Sequence, residues 1–430
     1  MIKDLISFLN DSPVNFLAVR SLSDRLEQAG FSCFDASNPL GEVRAGDMFF
    51  VTKNDSSLYA FRMGNLPIAK GGFRMICAHC DSPTFRIKPN AEITCEGDLV
   101  KLNTEVYGGP IMSTWFDRPL SLAGRVVLRG TDAFHPETRL LHVKRPLLQI
   151  SNLAIHFNRQ VNDGVKLGRQ KDMMPILGIV NGELERGCML VGIICEELNV
   201  EAGDILDFDL YLYDCTSACT FGAHDEFLSS GRLDDLSMVH AGMQALLQQK
   251  EDAPEVTQVL AVFDNEETGS QTKQGAGSPF LASILRRLNS AQGGGEEEFG
   301  MAVERAFMVS ADNAHAWHPN YTEKYDPTNH PMLGKGPVIK YNAAQKYASD
   351  AVSASVFDEI CKKAGVPCQR FVNHSDVPGG STLGNILASS LPVCGVDVGN
   401  PILGMHSARE TGAVADHIFC IRAFRQFYCS

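Results

Sequence analysis

The chain has 430 residues, too many for one ordinary domain, so two or three domains are expected. Its hydrophobic content of 44% and charged content of 21% are those of a globular protein that can bury a large core. With 38 basic against 51 acidic residues, a formal charge of −13 and no basic run, nucleic acid is excluded as an expected partner.

The opening segment, Met1-Ile-Lys-Asp-Leu-Ile-Ser-Phe-Leu-Asn-Asp-Ser-Pro13, reads as an amphipathic helix stopped before a proline. It lacks the long apolar core and cleavage site of a signal peptide. No apolar stretch is long enough to span a bilayer, so no membrane partner is expected. The 13 cysteines are scattered and odd in number, which fits reduced thiols better than a disulfide framework and points to the cytoplasm.

Helical patterns near 3–10 and 14–30 lead into strand-like Met48-Phe-Phe-Val-Thr52, Ser57-Leu-Tyr-Ala-Phe-Arg62 and Phe73-Arg-Met-Ile-Cys-Ala78. From about 92 to 218 the texture changes. Short β-type runs such as Leu99–Asn103, Leu122–Arg129 and Ile205–Tyr213 are separated by Gly, Pro and Asn, as in an inserted, mainly β domain. After Arg232 helix and strand alternate again, with helices expected over 236–247, 278–288 and 350–364 and strands over 256–264 and 306–310. The Ala291–Glu298 stretch reads as a flexible loop with solvated glutamates. The fold expected is α/β, with a mixed, largely parallel sheet and helices on both faces formed by 1–91 and 219–430, and an inserted β-rich domain over 92–218.

Chemistry-bearing residues recur where these strands end. His79-Cys-Asp81 follows the first, and a carboxylate two residues from an imidazole can orient it. Cys80 is expected to turn away into the core. Asp234 and Asp235 open a helix, where one carboxylate could cap it and the other bridge two cations. The run Val259-Leu-Ala-Val-Phe-Asp-Asn-Glu266-Glu267 is an apolar strand ending in adjacent carboxylates, one suited to a metal and the other to a water. Met308-Val-Ser-Ala-Asp312 repeats the pattern with His315 and His318 close by, and His406 follows the strand-like Val393–Val398. Each cluster alone reads as a solvated loop. Together His79, Asp234, Glu267, Asp312 and His406 make a nitrogen and oxygen ligand set suited to Zn²⁺, or to Mn²⁺ or Co²⁺ under other loading. Five ligands with one bridging carboxylate are the stoichiometry of a two-metal hydrolase.

Ala78-His-Cys-Asp-Ser-Pro83, Gly231-Arg-Leu-Asp-Asp-Leu236, Asp264-Asn-Glu-Glu-Thr-Gly-Ser270, Ser310-Ala-Asp-Asn-Ala-His315 with Trp-His-Pro-Asn-Tyr321, Gly336-Pro-Val-Ile-Lys340 and Met405-His-Ser-Ala-Arg-Glu410 occur in this order. With them, from about residue 10 to 427, the chain resembles the aspartyl aminopeptidases, dinuclear metallo-exopeptidases that assemble as tetrahedral dodecamers. The resemblance implies a homo-oligomer, a dodecamer built from dimers, with two Zn²⁺ per subunit. It implies removal of N-terminal residues from peptides, Asp and Glu first.

Residue by residue, it implies that Asp234 bridges the metals, with His79 and Asp312 on one and Glu267 and His406 on the other. Glu266 would be the base that takes a proton from the metal-bound water, and Asp81 would orient His79. His315, Lys340 and Tyr347 would touch substrate, and His156, from the inserted dimerisation and substrate-gating domain, would reach a neighbouring subunit's site. Cys80 stands where the family more often has threonine or another small residue, and Asn373-His-Ser-Asp-Val-Pro-Gly-Gly-Ser381 is one variant of a varying loop. The alternatives are a related dinuclear enzyme, a deacylase or an aminopeptidase of broader specificity, and a non-catalytic assembly or cargo protein.

Overall fold

The structure, a computed structural model, describes residues 1–182, 187–249 and 253–430. It divides into two units, Met1–Asp81 with Ala218–Met405 and Glu410–Ser430, and Ser82–Ser217 with His406–Arg409.

A nine-stranded sheet runs through the first unit in the order Ser32–Cys33, Met48–Lys53, Ser57–Arg62, Thr257–Phe263, Phe73–His79, Phe307–Ala311, Cys394–Gly399, Val338–Tyr341, Gln369–Val372. The four central strands, Thr257–Phe263 to Cys394–Gly399, are parallel, and antiparallel pairings flank them. The sheet is thus mixed and α/β, as the alternation of elements predicts. Side chains alternate across it with the period of two that a pleated strand imposes. Ile76, Ala78, Leu260 and Val262 join one core, where Leu236, Phe357 and Phe424 arrive from helices Leu233–Leu247, Ala351–Ala364 and Val414–Tyr428. Met75, Cys77, Val259 and Ala261 join the other, with Leu281, Phe299 and Leu383 from helices Phe280–Ala291, Glu296–Arg305 and Leu383–Ser390. Both faces of the central strands are therefore covered, which is why those strands read as continuous apolar runs.

Helix Leu233–Leu247 lies especially close to the sheet. A Cβ on Gly242 would stand 2.8 Å from the Leu260 side chain and 3.1 Å from that of Ile76. The helix is also tied on its far side. His240 Nε2 is 2.8 Å from Asp4 of the N-terminal helix Ile2–Asp11, and Arg25 donates to the same carboxylate at 2.6 Å.

Glu296, Glu297 and Glu298, expected in a loop, form the first turn of helix Glu296–Arg305. Acidic side chains there complement the helix dipole, and Glu298 accepts from the Gly295 N–H at 2.9 Å. The glutamates that look like solvated charge are the helix's start signal.

The second unit carries a six-stranded antiparallel sheet in the order His135–His142, Leu120–Asp132, Ile205–Asp214, Thr84–Thr94, Leu99–Tyr107, Ile176–Ile179. Phe85, Trp115, Leu122 and Leu210 form its core, onto which helix Met189–Leu198 lays Leu190 and Ile194. It begins at Ser82 rather than at 92, because Thr84–Thr94 pairs with Leu99–Tyr107. It also takes back His406–Arg409, which the sequence division leaves with the catalytic part. Arg409 donates to the carbonyls of Thr216 and Ser217, and the Ile111 N–H donates to the His406 carbonyl at 2.9 Å. Among the described residues no helix is long and apolar enough to cross a membrane.

Hydrogen bonding to His240 first, then the bond from Arg25, holds the Asp4 carboxyl well below the usual carboxylate range. A depressed acid stabilises the fold above its unfolded pKa and loses that contribution as pH falls towards the folded value. Asp4→Asn is therefore expected to cost about 1 kcal/mol at pH 7, allowing for the exposure of Asp4. In urea denaturation of wild type and variant, the gap should narrow below about pH 4; a gap that widens there would contradict the assignment.

Candidate active site

Three neighbouring parallel strands deliver the polar residues, all at their carboxyl ends. Phe73–His79 ends on His79, Thr257–Phe263 runs into the turn Glu266–Thr268, and Phe307–Ala311 is followed by Asp312. Register pairs Phe263 with His79, so the ends are level. Beyond the last paired residue the side chains leave the packed layers, and in open α/β sheets this is where ligands bind. The start of helix Leu233–Leu247 adds Asp234 and Asp235, whose shared peptide bond is cis.

Ligand atoms of His79, Asp234, Asp235 and Asp312 lie within 4.8 Å of one another, and so do those of His79, Glu266 and Glu267. His79 Nε2 is 3.5 Å from Asp234 Oδ1, and its Nδ1 is 3.3 Å from Asp81 Oδ1 and 3.1 Å from the Asp81 carbonyl. An acceptor on Nδ1 leaves Nε2 as the atom that can face a ligand. Asp81 does more than orient the ring. Its two carboxylate oxygens accept the backbone N–H groups of Glu266 and Glu267, each at 3.1 Å, and so fix the turn on which both glutamates stand.

Asp235 is not a helix cap. It accepts the His79 backbone N–H at 3.2 Å and faces Asn313 Nδ2 at 3.4 Å, while the same amide donates to the Leu233 carbonyl at 2.6 Å. The second aspartate thus locks the strand to the helix. Glu410, the last residue of the Met405–Glu410 motif, accepts the Asp234 N–H at 3.0 Å. Asn313 and Glu410 have no role legible in the sequence, although each lies within a motif, because their roles depend on partners distant along the chain.

Lys340 is buried in strand Val338–Tyr341. Its ammonium is 3.2 Å from Asp312 Oδ2, donates to the Asn313 carbonyl at 3.2 Å and lies 5.3 Å from the centre of the Tyr347 ring. His315 is exposed, its ring 5.9 Å from that of Phe371. Cys77 and Cys80 are buried in opposite cores, and Cys80 donates to the Ser56 carbonyl, so neither thiol belongs to the ligand set. His406 and His156 lie in the second unit. His406 Nδ1 is 3.1 Å from the Gly109 carbonyl, and His156 occupies the exposed turn Ile155–Phe157.

Charge dominates the site. Burial pushes the Glu266 carboxyl up to about 8, against the pull of His79, with Asp312, Asp81 and Asp234 adding to the rise. Burial, followed by the neighbouring carboxylates, also raises Asp235 well above the carboxylate range, and Asp312 rises through burial despite Lys340. At His79 burial disfavours the imidazolium, but Asp234 and Asp81 outweigh it and raise its pKa. So many carboxylates around one lysine must either hold protons or receive a cation. An imidazole with carboxylates is the donor set that zinc takes, so the residues fit a divalent metal.

A family profile described as aminopeptidase I zinc metalloprotease (M18) matches residues 8–428. A probable M18 family aminopeptidase 2 of Clostridium acetobutylicum is 51% identical over 426 residues, covering 99% of this chain and 98% of its own. One from Pseudomonas aeruginosa is 42% identical over 428 residues, covering 99% and 97%. Among solved structures, a cryo-EM structure of an Ape4 and Nbr1 complex superposes with a TM-score of 0.95 at 35% identity, covering 99% of this chain and 85% of that one.

Because protons occupy the carboxyl cluster when no cation does, zinc uptake by metal-free protein should release protons near pH 7. Affinity should rise with pH until the Glu266 region, about 8, is passed. Calorimetry in buffers of different ionisation enthalpy measures this, and zinc binding without proton release would contradict it.

Proposed function

Since the chain belongs to the M18 family of zinc metalloproteases, whose members it resembles along nearly its whole length, we propose that it removes N-terminal residues from peptides, acidic ones first, with Glu266 as general base. That it is a metal-dependent aminopeptidase follows from the family. The observation that carries the finer reading is the convergence of His79, Asp312, Glu266 and Glu267 at level strand ends with Asp234 from the start of helix Leu233–Leu247.

In this reading His79, Asp234, Asp312 and Glu267 would hold the zinc, and His406 would complete the set on the strength of the family resemblance. Manganese and cobalt suit the same donors. Zinc so held supplies Lewis acidity and lowers the pKa of water. Glu266 stands next in the chain to the ligand Glu267, on a turn fixed by both oxygens of Asp81, and this supports its role as base. It takes a proton from the attacking water and passes it to the leaving amine. Positive charge beside a raised carboxyl favours its ionised form, which a base requires. Asp81 keeps the His79 ring oriented through Nδ1.

Lys340, beside Asp312 and Tyr347, supports recognition of an acidic first residue or of the peptide carboxylate, with His315 and Tyr347 as further contacts. The second unit is taken as the dimerisation and gating part, with His156 reaching a neighbouring subunit of a dodecamer. These assignments rest on the family resemblance. The cytoplasm is the proposed compartment, supported by 13 cysteines with no disulfide.

Glu266→Gln should lower kcat by about 10²–10⁴-fold with zinc content unchanged; full activity in the loaded variant would remove Glu266 from the mechanism. In a panel of Asp-, Glu-, Leu- and Lys-amide substrates, the acidic pair should give the highest kcat/KM, and equal rates across the panel would leave a broad aminopeptidase. His156→Ala should lose activity if the site is shared between subunits, whereas an unaffected variant argues for a site within one chain.

A further inference from the structure

Asp397 is fully buried in strand Cys394–Gly399, behind the cluster of metal-binding character. Its Oδ1 accepts the hydroxyls of Ser310 at 2.7 Å and Thr382 at 2.5 Å, and its Oδ2 accepts the Ala348 N–H at 2.6 Å. Its own N–H donates to Ser349 Oγ at 2.8 Å. A buried carboxylate with three donors is satisfied only while all of them stay in place.

The donors come from three separate stretches. Ser310 lies on the strand that ends before Asp312, Ala348 follows Tyr347, and Thr382 precedes helix Leu383–Ser390 at the end of the 373–381 loop. Helix and carboxylate are close enough that a Cβ on Gly384 would meet Ser310 Oγ at 2.6 Å and Asp397 Oδ2 at 2.8 Å. The 346–349 segment and the loop also clasp each other directly, since Lys346 Nζ donates to the Gly379 carbonyl at 2.6 Å. Tyr347, between Lys346 and Ala348, carries the ring over which the Lys340 ammonium sits.

We infer that Asp397 is a positioning residue for substrate recognition: by holding Ala348 and Thr382 on one carboxylate, with the 373–381 loop clasped to Lys346, it sets where Tyr347 meets the substrate's first residue. The inference rests on the reading that Tyr347 and Lys340 contact substrate. It requires no contact between Asp397 and substrate or metal. An amide in place of the carboxylate keeps the shape but removes the charged acceptor and leaves one accepting oxygen where there were two, so every link of the clasp weakens or reverses. Removing the Thr382 hydroxyl opens one of them.

The test uses full-length, zinc-loaded enzyme and whichever N-terminal residue wild type prefers in the substrate panel. A wild type with no acidic preference therefore defeats the specificity reading without touching this one. Asp397→Asn and Thr382→Val should each raise KM about three- to tenfold, the effect of losing one or two hydrogen bonds, with kcat within about twofold. They should also narrow the kcat/KM ratio between the preferred and the other substrates, with zinc content at the wild-type value. Thr382→Ser, which keeps the hydroxyl, should restore KM and the ratio. Should Asp397→Asn fail to fold, Thr382→Val and Thr382→Ser decide alone. An unchanged KM and ratio in Thr382→Val, a fall in kcat and zinc content with KM unmoved, or a Thr382→Ser variant that behaves like Thr382→Val would overturn the inference.

Discussion

Negative charge gathered at the ends of buried strands is the constraint on which the rest of this molecule turns. Asp81, Asp234, Asp235, Asp312, Glu266 and Glu267 meet around His79, and one buried lysine, Lys340, answers them. Each carboxylate taken out of water costs several kcal/mol unless hydrogen bonds or opposite charge offset it. The raised carboxyls of Asp235, Asp312 and Glu266 show that the protein's own groups leave part of this cost standing. A site of this kind is stable in a packed protein because a cation is meant to share it.

The protein answers that constraint with backbone amides as well as with charge. Asp81 takes two N–H groups from the 266–267 turn, Asp235 takes the His79 N–H, and Glu410 gives Asp234 an acceptor for its N–H. Each bond lowers the cost of burying a carboxylate and at the same time fixes the backbone under a neighbouring residue of the cluster. Solvating the charges and positioning the cluster are therefore done by the same bonds. Asp397 does the same one layer back, where the satisfied carboxylate joins three chain segments in place of a metal cluster.

The sequence showed the elements well where apolar periodicity was strong, as in the strands Met48–Lys53, Ser57–Arg62 and Thr257–Phe263 and the helix Ala351–Ala364. It failed where charge obscured a local signal. Glu296–Glu298 read as solvated loop because three adjacent acids without apolar spacing look disordered, yet a helix dipole favours them in a first turn. The burial of Lys340 was not legible, because its counter-charge Asp312 is distant in sequence. The role of Asp235 was not legible because its partners, the His79 N–H at the end of strand Phe73–His79 and Asn313 just past strand Phe307–Ala311, are distant in sequence.

Local chemistry was the part the sequence determined by itself. Which residue types stand at which strand ends, and their order along the chain, is written in contiguous motifs, and these suffice for the ligand types and for the resemblance to a family. Only the tertiary structure decided that the ends of Phe73–His79, Thr257–Phe263 and Phe307–Ala311 are neighbours and level, that Lys340 is buried against Asp312, and that the polar residues behind the ligands are tied to one another. The physical reason is range. Strand patterning and turn chemistry act over a few residues, whereas burial and the sharing of charge depend on which distant segments the sheet order brings side by side.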